Sequence, residues 1–296
     1  MIYLWRIYLF TLQEIIRNQE VIFVKCVRCE RESSVSVSII KTLIDYINAS
    51  IVITEMEIKK LRHDPTELFT RAIQPVLWLL IFGQALSHIR AIPTGNVNYQ
   101  TFMTPGILAQ SMMFVSIFYG INIIWDKDQG VLQKLIALPV PRLAFVTGKA
   151  FSAGIRAISQ VLIIILLALI IGIKIQWSFA GIILSILTII CGAVFFSSLS
   201  MSLAAIVKSK ERFMGFGQVI TMPLFFASNA IYPISIMPLW LQVLSRINPL
   251  SYIVELLRNY LLNGYSINTV LDWITLICAI IFMQIIAGIL FPYIVS

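Results

Sequence analysis

The chain has 296 residues, of which 59% are hydrophobic and only 12% are charged, and its mean hydropathy is +0.90. A soluble domain carries about 25% charged residues, so the composition excludes an ordinary soluble protein and indicates a polytopic membrane protein. The formal net charge of +8 comes from Lys and Arg that lie mostly before residue 72 and in two short loops. We interpret this distribution as cytoplasmic retention of basic residues, and we expect no nucleic-acid partner.

Residues 1–50 are mixed in character and contain no stretch long enough to span a membrane. We predict a cytoplasmic extension that is dispensable, followed by a transmembrane domain over 51–296. Cys26 and Cys29 form a lone CVRC motif, but no second cysteine pair or nearby histidine completes a zinc set. We therefore predict no metal site, and nothing in the chain indicates a cofactor.

From Ile51 to Arg62 apolar and charged residues alternate at helical spacing, which predicts an amphipathic helix on the membrane surface. Asp64 can cap the next helix, Pro65 suits the first helical position, and Glu67 can complete a capping box. These residues predict the start of a helix that continues into the first span.

A transmembrane helix needs about 20 apolar residues. Six segments meet this requirement: 69–88, 105–125, 149–172, 180–207, 213–236 and 270–294. Lys and Arg concentrate in the loops at 126–148 and 208–212, so the positive-inside rule predicts that both loops and both termini are cytoplasmic. The sequence thus predicts an all-α, multi-pass protein of the cell membrane.

The most unusual segment runs from Thr221 to Arg258, because it is apolar yet contains Pro223, Pro233, Pro238 and Pro249. Each internal proline removes a backbone hydrogen bond that lipid cannot replace. Such a segment predicts a helix that stops and is followed by short half-helices near one membrane face. Broken helices are tolerated beside protein or a water-filled cavity, which points to transport.

The loop after the second span contains a short amphipathic run in which Val131, Leu132, Leu135 and Ile136 recur at helical spacing after Gly130. Two interpretations fit this pattern equally well. The helix either lies on lipid or docks a cytoplasmic partner. In the docking interpretation Leu132 and Leu135 carry the contact, since residues three apart share one face.

After the fifth span, two apolar segments separated by Asn248-Pro249 are each too short to cross the membrane. They form either a surface hairpin of amphipathic helices, which the pattern alone favours, or a re-entrant hairpin that closes the outer end of a pathway. Glu255 and Arg258 are three apart and can pair on one helical face.

The sequence offers little support for an enzyme, and we predict no catalytic residues. TGKA at 147–150 lacks the remainder of a phosphate-binding loop, so ATP hydrolysis would need another chain. Arg156 is the clearest charge within a span, and we expect its long side chain to reach the interface. Asp126, Asp128 and Asp272 lie at span ends, where we expect solvated positions.

Three segments resemble the membrane subunits of type-2 ATP-binding-cassette exporters, which include drug-resistance and polysaccharide-export permeases. DKDQGVLQKLIALPVPRLAFVTGK resembles that family's loop after the second span, with an acidic residue, a glycine, a leucine-rich run, a proline, an arginine and a final GK. ASNAIYPISIMPLWLQ resembles the end of its fifth span, and NPLSYIVELLR its late signature. Gln129 departs from the family, which often has an acidic residue there.

The resemblance covers residues from about 51 to the end and implies a six-span subunit that dimerises with a second permease subunit. It also implies an amphipathic N-terminal helix and a coupling helix that dock on a separate cytoplasmic ABC ATPase. Substrates would be amphipathic drugs, lipids or lipid-linked glycans, with membrane lipid as surroundings. Two residue sets follow from it: for coupling Gly130, Leu132, Leu135 and Ile136, and for an outer gate Pro249, Tyr252, Glu255 and Arg258.

The rival interpretation is an ion-coupled secondary transporter or channel. Such proteins usually place paired charges within their spans, and the sequence pattern shows no obvious pair. An adjacent gene for an ATPase would favour the exporter interpretation.

Overall fold

The computed structural model describes residues 39–63, 66–85, 98–130, 132–133, 142–173, 178–207, 209–263 and 268–295. Within these ranges the regular structure is helical throughout and contains no strand, which confirms the predicted all-α class for them. The helices are α1 (Ile39–His63), α2 (Thr66–Leu77), α3 (Tyr99–Tyr119), α4 (Ile121–Asp128), α5 (Arg142–Ile170), α6 (Phe179–Val207), α7 (Lys210–Phe226), α8 (Leu239–Ile247), α9 (Pro249–Arg258) and α10 (Asn268–Val295).

Four stretches of the described chain are long and apolar enough to cross a membrane: Tyr99–Asp128 (α3 with α4), Leu143–Ile170, Phe179–Val207 and Thr269–Ile294. They confirm the predicted spans at 105–125, 149–172, 180–207 and 270–294. The other two predicted spans, 69–88 and 213–236, contain shorter helices. A count of six spans therefore rests on the sequence.

Each of those two stretches has a proline inside its helix. Pro75 lies inside α2, and the chain continues after it as a π-helical turn, Trp78–Phe82. Pro223 lies inside α7, which ends at Phe226. Beyond this point the chain forms a 3₁₀ turn, Ile234–Ile236, and then the short helices α8 and α9, which begin directly after Pro238 and at Pro249. The predicted run of short half-helices is present.

The core lies between α3, α5, α6, α9 and α10. Nearly all of α3 is buried, as expected for a helix that is apolar on every side. The short helix α9 also belongs to this core, because Leu250, Ile253, Val254, Leu256 and Leu257 are fully buried. In contrast, α8 exposes a continuous apolar stripe that includes Leu239, Trp240 and Ile247.

The loop after α7 lies directly on α3. A Cβ atom at Gly106 would overlap the backbone of Ala230, so only glycine permits this approach. The Tyr99 hydroxyl donates to the Ile231 carbonyl at 3.1 Å, close to the same point. These contacts hold residues 229–231 between α3 and the hairpin of α8 and α9.

The helix α1 begins at Ile39, so it crosses the domain boundary predicted after residue 50. From Tyr46 onward its polar side chains contact the first turns of α5. The Tyr46 hydroxyl donates to Thr147 Oγ1 at 3.0 Å, Ser50 Oγ donates to the Ala144 carbonyl at 3.2 Å, and Thr54 Oγ1 donates to the Gly148 carbonyl at 3.0 Å. The helix predicted to lie on the membrane surface is thus bonded to another helix of the protein.

Candidate coupling and gating sites

The segment predicted to couple to an ATPase, residues 130–136, starts just after α4 ends, and we call it the coupling segment. Gly130 has φ +71°, a left-handed conformation that favours glycine, and it directs the chain away from α4. Leu132 is fully buried in a cluster that includes Ile53, Ile123 and Phe145, whereas Gln133 is exposed. Leu132 therefore contacts the protein's own core, and an exposed docking role does not fit it. Leu135 and Ile136 lie outside the described residues.

A buried ion pair that the sequence did not predict joins α4 to α5. Asp126, near the end of α4, accepts a hydrogen bond from Lys149 on α5. Only 5% of the surface of Asp126 is exposed, and Lys149 is fully buried. The expectation of a solvated Asp126 is wrong, because α1, α4 and α5 converge around it. A carboxylate buried in this way requires a partner, and Lys149 supplies it.

Glu57 on α1 joins the same pair. Its Oε1 atom lies 3.0 Å from Lys149 Nζ and 3.3 Å from Lys60 Nζ, and only 1% of the residue is exposed. Lys60 also donates to Asp126 Oδ1 at 3.1 Å. Lys149 and Lys60 therefore each bridge the two carboxylates, so three helices meet in one charge cluster.

Arg156, two turns further along α5, completes the cluster. Its NH2 atom lies 3.7 Å from Glu57 Oε2, and its guanidinium stacks 4.7 Å from the centroid of the Tyr119 ring. The Tyr119 hydroxyl in turn forms a hydrogen bond with Ser152 Oγ at 2.8 Å. The expectation that Arg156 reaches the interface is wrong, because an acidic partner on α1 and an aromatic face on α3 hold it inside.

The neighbouring charges determine the ionisation of Glu57 and Lys60 on α1. Burial alone would raise the pKa of Glu57, but Lys149, Lys60 and Arg156 outweigh burial and hold that pKa well below its usual range. Burial would lower the pKa of Lys60, but Glu57 and Asp126 raise it above its usual value. Both groups are therefore ionised at neutral pH. We name Glu57, Lys60, Asp126, Lys149 and Arg156 the inner charge cluster.

The sequence carried one signal for this cluster. Lys149 and Arg156 are seven residues apart, so they share a face of an apolar helix, and two cations on a buried face need acidic partners. One of those partners, Glu57, lies outside the spans, on a helix that the sequence assigns to the membrane surface. A search for partners within spans alone therefore missed it.

At the hairpin, Asn229 connects the two charged residues of the predicted gate. Its side-chain amide donates to Glu255 Oε1 at 2.8 Å, and its backbone carbonyl accepts from Arg258 NH2 at 2.9 Å. Among the described contacts, Glu255 and Arg258 meet through this residue instead of through a direct ion pair. The guanidinium of Arg258 also stacks 3.9 Å from the centroid of the Phe102 ring.

Burial changes the charge balance of this pair. It raises the pKa of the Glu255 carboxyl, although Arg258 and the bond from Asn229 oppose the change. It lowers the pKa of Arg258 to about 10, with Glu255 opposing. Arg258 is therefore cationic at neutral pH, and its side chain links the hairpin to α3.

The remaining residues of the predicted gate stabilise the turn between α8 and α9. Pro249 occupies the first helical position of α9, and Asn248 caps that helix by accepting from the Leu250 amide at 3.0 Å. The Asn248 side chain also donates to the Leu224 carbonyl of α7 at 2.6 Å. Tyr252 donates its hydroxyl to the Arg246 carbonyl at 2.5 Å. The hairpin is thus bonded to α7 as well as to α3.

Comparison with known proteins places this helical arrangement in a family. The model of the ABC-2 type transporter membrane family matches residues 49–262, which include both sites. The chain belongs to this family. It is accordingly the membrane subunit of an ABC transporter, and such permeases normally work with a separate ATPase.

Relatives carry compatible names. The ycf38 protein of Cyanophora paradoxa, named as a transport permease, is 30% identical over 234 residues, which cover 78% of this chain and 79% of the relative. The daunorubicin resistance ABC transporter permease protein DrrB1 of Streptomyces coeruleorubidus is 24% identical over 191 residues, covering 64% and 67%. The multidrug ABC transporter permease YbhR of Escherichia coli K12 is 27% identical over 179 residues, covering 59% and 47%.

Proposed function

We propose that this chain is the permease subunit of an ATP-driven exporter that moves amphipathic drugs, lipids or lipid-linked glycans out of the cell. The observation that carries the proposal is the family match over residues 49–262, which joins the coupling segment, three of the four long apolar helices and the buried hairpin in one domain. The names of the drug-resistance relatives support an amphipathic cargo.

The coupling segment connects transport to a separate cytoplasmic ABC ATPase. Gly130 directs the segment away from α4, Leu132 anchors it in the permease, and Leu135 and Ile136 supply the apolar contact with the ATPase. The burial of Leu132 supports the division of roles, because an anchored segment can transmit force while a free one cannot. Leu132 thus keeps its place in the coupling site as an anchor.

The outer site is a gate formed by α8 and α9, with Pro249, Tyr252, Glu255 and Arg258 fixing its shape. The burial of α9 among α3, α6 and α10 supports the re-entrant interpretation over a surface hairpin. An apolar helix that begins and ends within the core reaches the pathway between the spans. The gate faces outward because the basic loops occupy the opposite ends of the spans.

The permease works as a dimer in the cell membrane, with both termini in the cytoplasm. One face of α2 and its π turn is apolar, exposed and grooved, with a groove volume of about 450 Å³ lined by Ile73, Leu77, Trp78, Ile81 and Phe82 among others. This face supports contact with a second permease subunit, and lipid covers the remaining apolar surface.

The rival, an ion-coupled transporter, keeps some support because the inner charge cluster supplies the buried pair that the sequence pattern lacked. Family membership favours ATP as the energy source. The test is export of daunorubicin into inside-out vesicles that contain the chain and the ABC ATPase with which it co-purifies. We expect export that requires ATP, fails when the ATPase lacks its Walker lysine, and survives a protonophore. Export that needs an ion gradient and ignores ATP would refute the proposal.

A further inference from the structure

The two ends of the first cytoplasmic loop are bonded to each other. Asp126 lies at the end of α4, where the loop begins, and Lys149 lies in α5, where it has rejoined the spans. Their side chains form a buried ion pair, with Lys149 wholly enclosed. Whatever residues 131–141 contact, the base of the loop is closed within the protein.

The helix α1 is attached at the same point. Glu57 bonds to Lys149, and Lys60 bonds to both Glu57 and Asp126, so α1 contributes one acid and one base to the closed base. Higher on the helix, Ser50 and Thr54 bond to carbonyl groups of α5. A Cβ atom at Gly148 would overlap the Ser50 carbonyl region, so the two helices are also in close contact.

A nearby salt bridge is exposed and serves as a comparison for the buried pair. Asp128, two residues after Asp126, bonds to Lys210 at 2.7 Å, but these side chains are 51% and 35% exposed. Water can replace either partner of that pair, whereas removal of the enclosed Lys149 would leave the buried carboxylates of Asp126 and Glu57 without their shared cation. The inner charge cluster is therefore costly to open, and its members keep their contacts only if their helices move together.

We propose that Lys149 is a positioning residue for energy coupling: it holds α1, the base of the coupling segment and α5 together as one body that moves as a unit during the ATP cycle. The proposal rests on the proposed function, because it assigns the part of the permease that receives motion from the ATPase. Displacement of the coupling segment then moves α5 and α1 directly, and α5 extends across the membrane beside the core.

The first experiment asks whether α1 and α5 separate. The Ser50 and Thr147 hydroxyl oxygens lie 3.0 Å apart, which suits the introduction of a cysteine pair, Ser50→Cys with Thr147→Cys, in a chain without its native cysteines. Disulfide formation is timed in the full complex with its ATPase, without nucleotide and after trapping with ATP and vanadate. We expect the two rates to agree within about twofold, since bonded helices keep their spacing. A rate that falls about tenfold in either state shows separation and overturns the proposal.

The second experiment removes the positioning residue. Lys149→Met leaves Asp126 and Glu57 without their shared cation, while Lys210→Met breaks the exposed pair and serves as the matched control. We expect Lys149→Met to slow disulfide formation about tenfold and to reduce daunorubicin export about tenfold relative to ATP hydrolysis. We expect Lys210→Met to change both by less than about twofold. Lys149→Arg should recover part of the coupling, because it restores the charge.

The outcomes separate this proposal from the function on which it rests. If the wild-type complex shows no ATP-driven export, the proposed function fails, and the disulfide rates still report whether α1 and α5 separate. If the wild type exports and Lys149→Met keeps the wild-type ratio of export to hydrolysis, the positioning role fails. If Lys149→Met does not accumulate in the membrane, the trapped-state rates of the cysteine pair in the otherwise unchanged chain decide the question.

Discussion

Glu55 and Glu57 lie two residues apart on α1 and have opposite surroundings. Glu55 pairs with Lys59 at 2.9 Å on the exposed side, where the side chains are 55% and 45% exposed. Glu57 is enclosed and faces three cations. The two positions therefore form a matched pair for measuring what burial adds to a salt bridge on one helix.

We expect Glu57→Gln to destabilise the detergent-solubilised chain by about 3–5 kcal/mol, because it leaves buried cations without their carboxylate. Glu55→Gln should cost less than about 1 kcal/mol, since exposed pairs contribute little. Thermal unfolding of the wild type and both variants measures the difference. Equal effects at the two positions would show that the inner charge cluster does not stabilise the fold.

The effect of Glu57 should depend on pH in a defined direction. Its pKa is lowered on folding, so its contribution is complete above the unfolded value of about 4.3 and is lost as pH falls toward the folded value. The stability gap between wild type and Glu57→Gln should therefore be constant above about pH 5.5 and should narrow below about pH 4. A gap that widens on acidification would contradict the assignment.

At the proposed gate, we expect Arg258→Ala to reduce export more than Glu255→Ala does. Arg258 loses both its bond to the Asn229 carbonyl and its contact with Phe102, a cation–π interaction worth about 2 kcal/mol when desolvated. Glu255 loses the single bond from Asn229. Export and complex yield are measured for both singles and the double variant, with exposed Arg246→Ala as the control. Strictly additive losses would show that Asn229 does not couple the two residues.

At the level of the elements, we expect Leu132 and Leu135 of the coupling segment to have different roles, the first as an anchor in the permease and the second as a contact with the ATPase. We expect Leu132→Asp to prevent accumulation of the permease, because the carboxylate would lie in an apolar cluster. Leu135→Asp should leave the permease folded and release the ATPase, with Gln133→Ala, an exposed neighbour, as the control. Membrane yield and co-purification of the ATPase give the readouts. An ATPase that stays bound to Leu135→Asp would favour the interpretation in which the segment lies on lipid.

That residues 1–50 are dispensable stays a prediction. The helix α1 begins within these residues, so it limits how many of them can be removed without loss of contacts. A chain that starts at Ile39 keeps the whole helix, whereas one that starts at Ile51 loses the bonds of Tyr46 and Ser50 to α5. Each lost bond is worth about 0.5–1.5 kcal/mol. We expect the first truncation to match the full chain in melting temperature and the second to melt lower. Identical melting of both would show that this part of α1 contributes nothing.

For the whole molecule, most of the proposals depend on which side of the membrane each loop faces. Single cysteines at Asn96 and Asn263 should react with an impermeant maleimide from outside intact cells, and a cysteine at Gln133 should react only after the membrane is opened. The background lacks the four native cysteines. Reaction at Gln133 from outside would invert the assignment of both candidate sites.

The sequence predicted the helical class, the series of short helices after α7 and, among its six spans, the four that the described chain contains as long apolar helices, because apolar length and proline act locally. It did not predict the surroundings of Asp126 or Arg156, since both depend on Glu57, and a residue on another helix leaves no local periodic signal. It also assigned Leu132 to an exposed face. A short amphipathic run shows that one face is apolar without showing whether protein, lipid or a partner covers that face.

The bond between Asp126 and Lys149 has a consequence for how such permeases can be rebuilt. Beyond its buried anchor, Leu132, a loop whose ends are joined in this way can change in length or sequence without moving the helices that carry it. We therefore expect that residues 134–141 can be exchanged for the same stretch of a relative, and that the hybrid will accept the relative's ATPase while keeping its own spans and its own cargo.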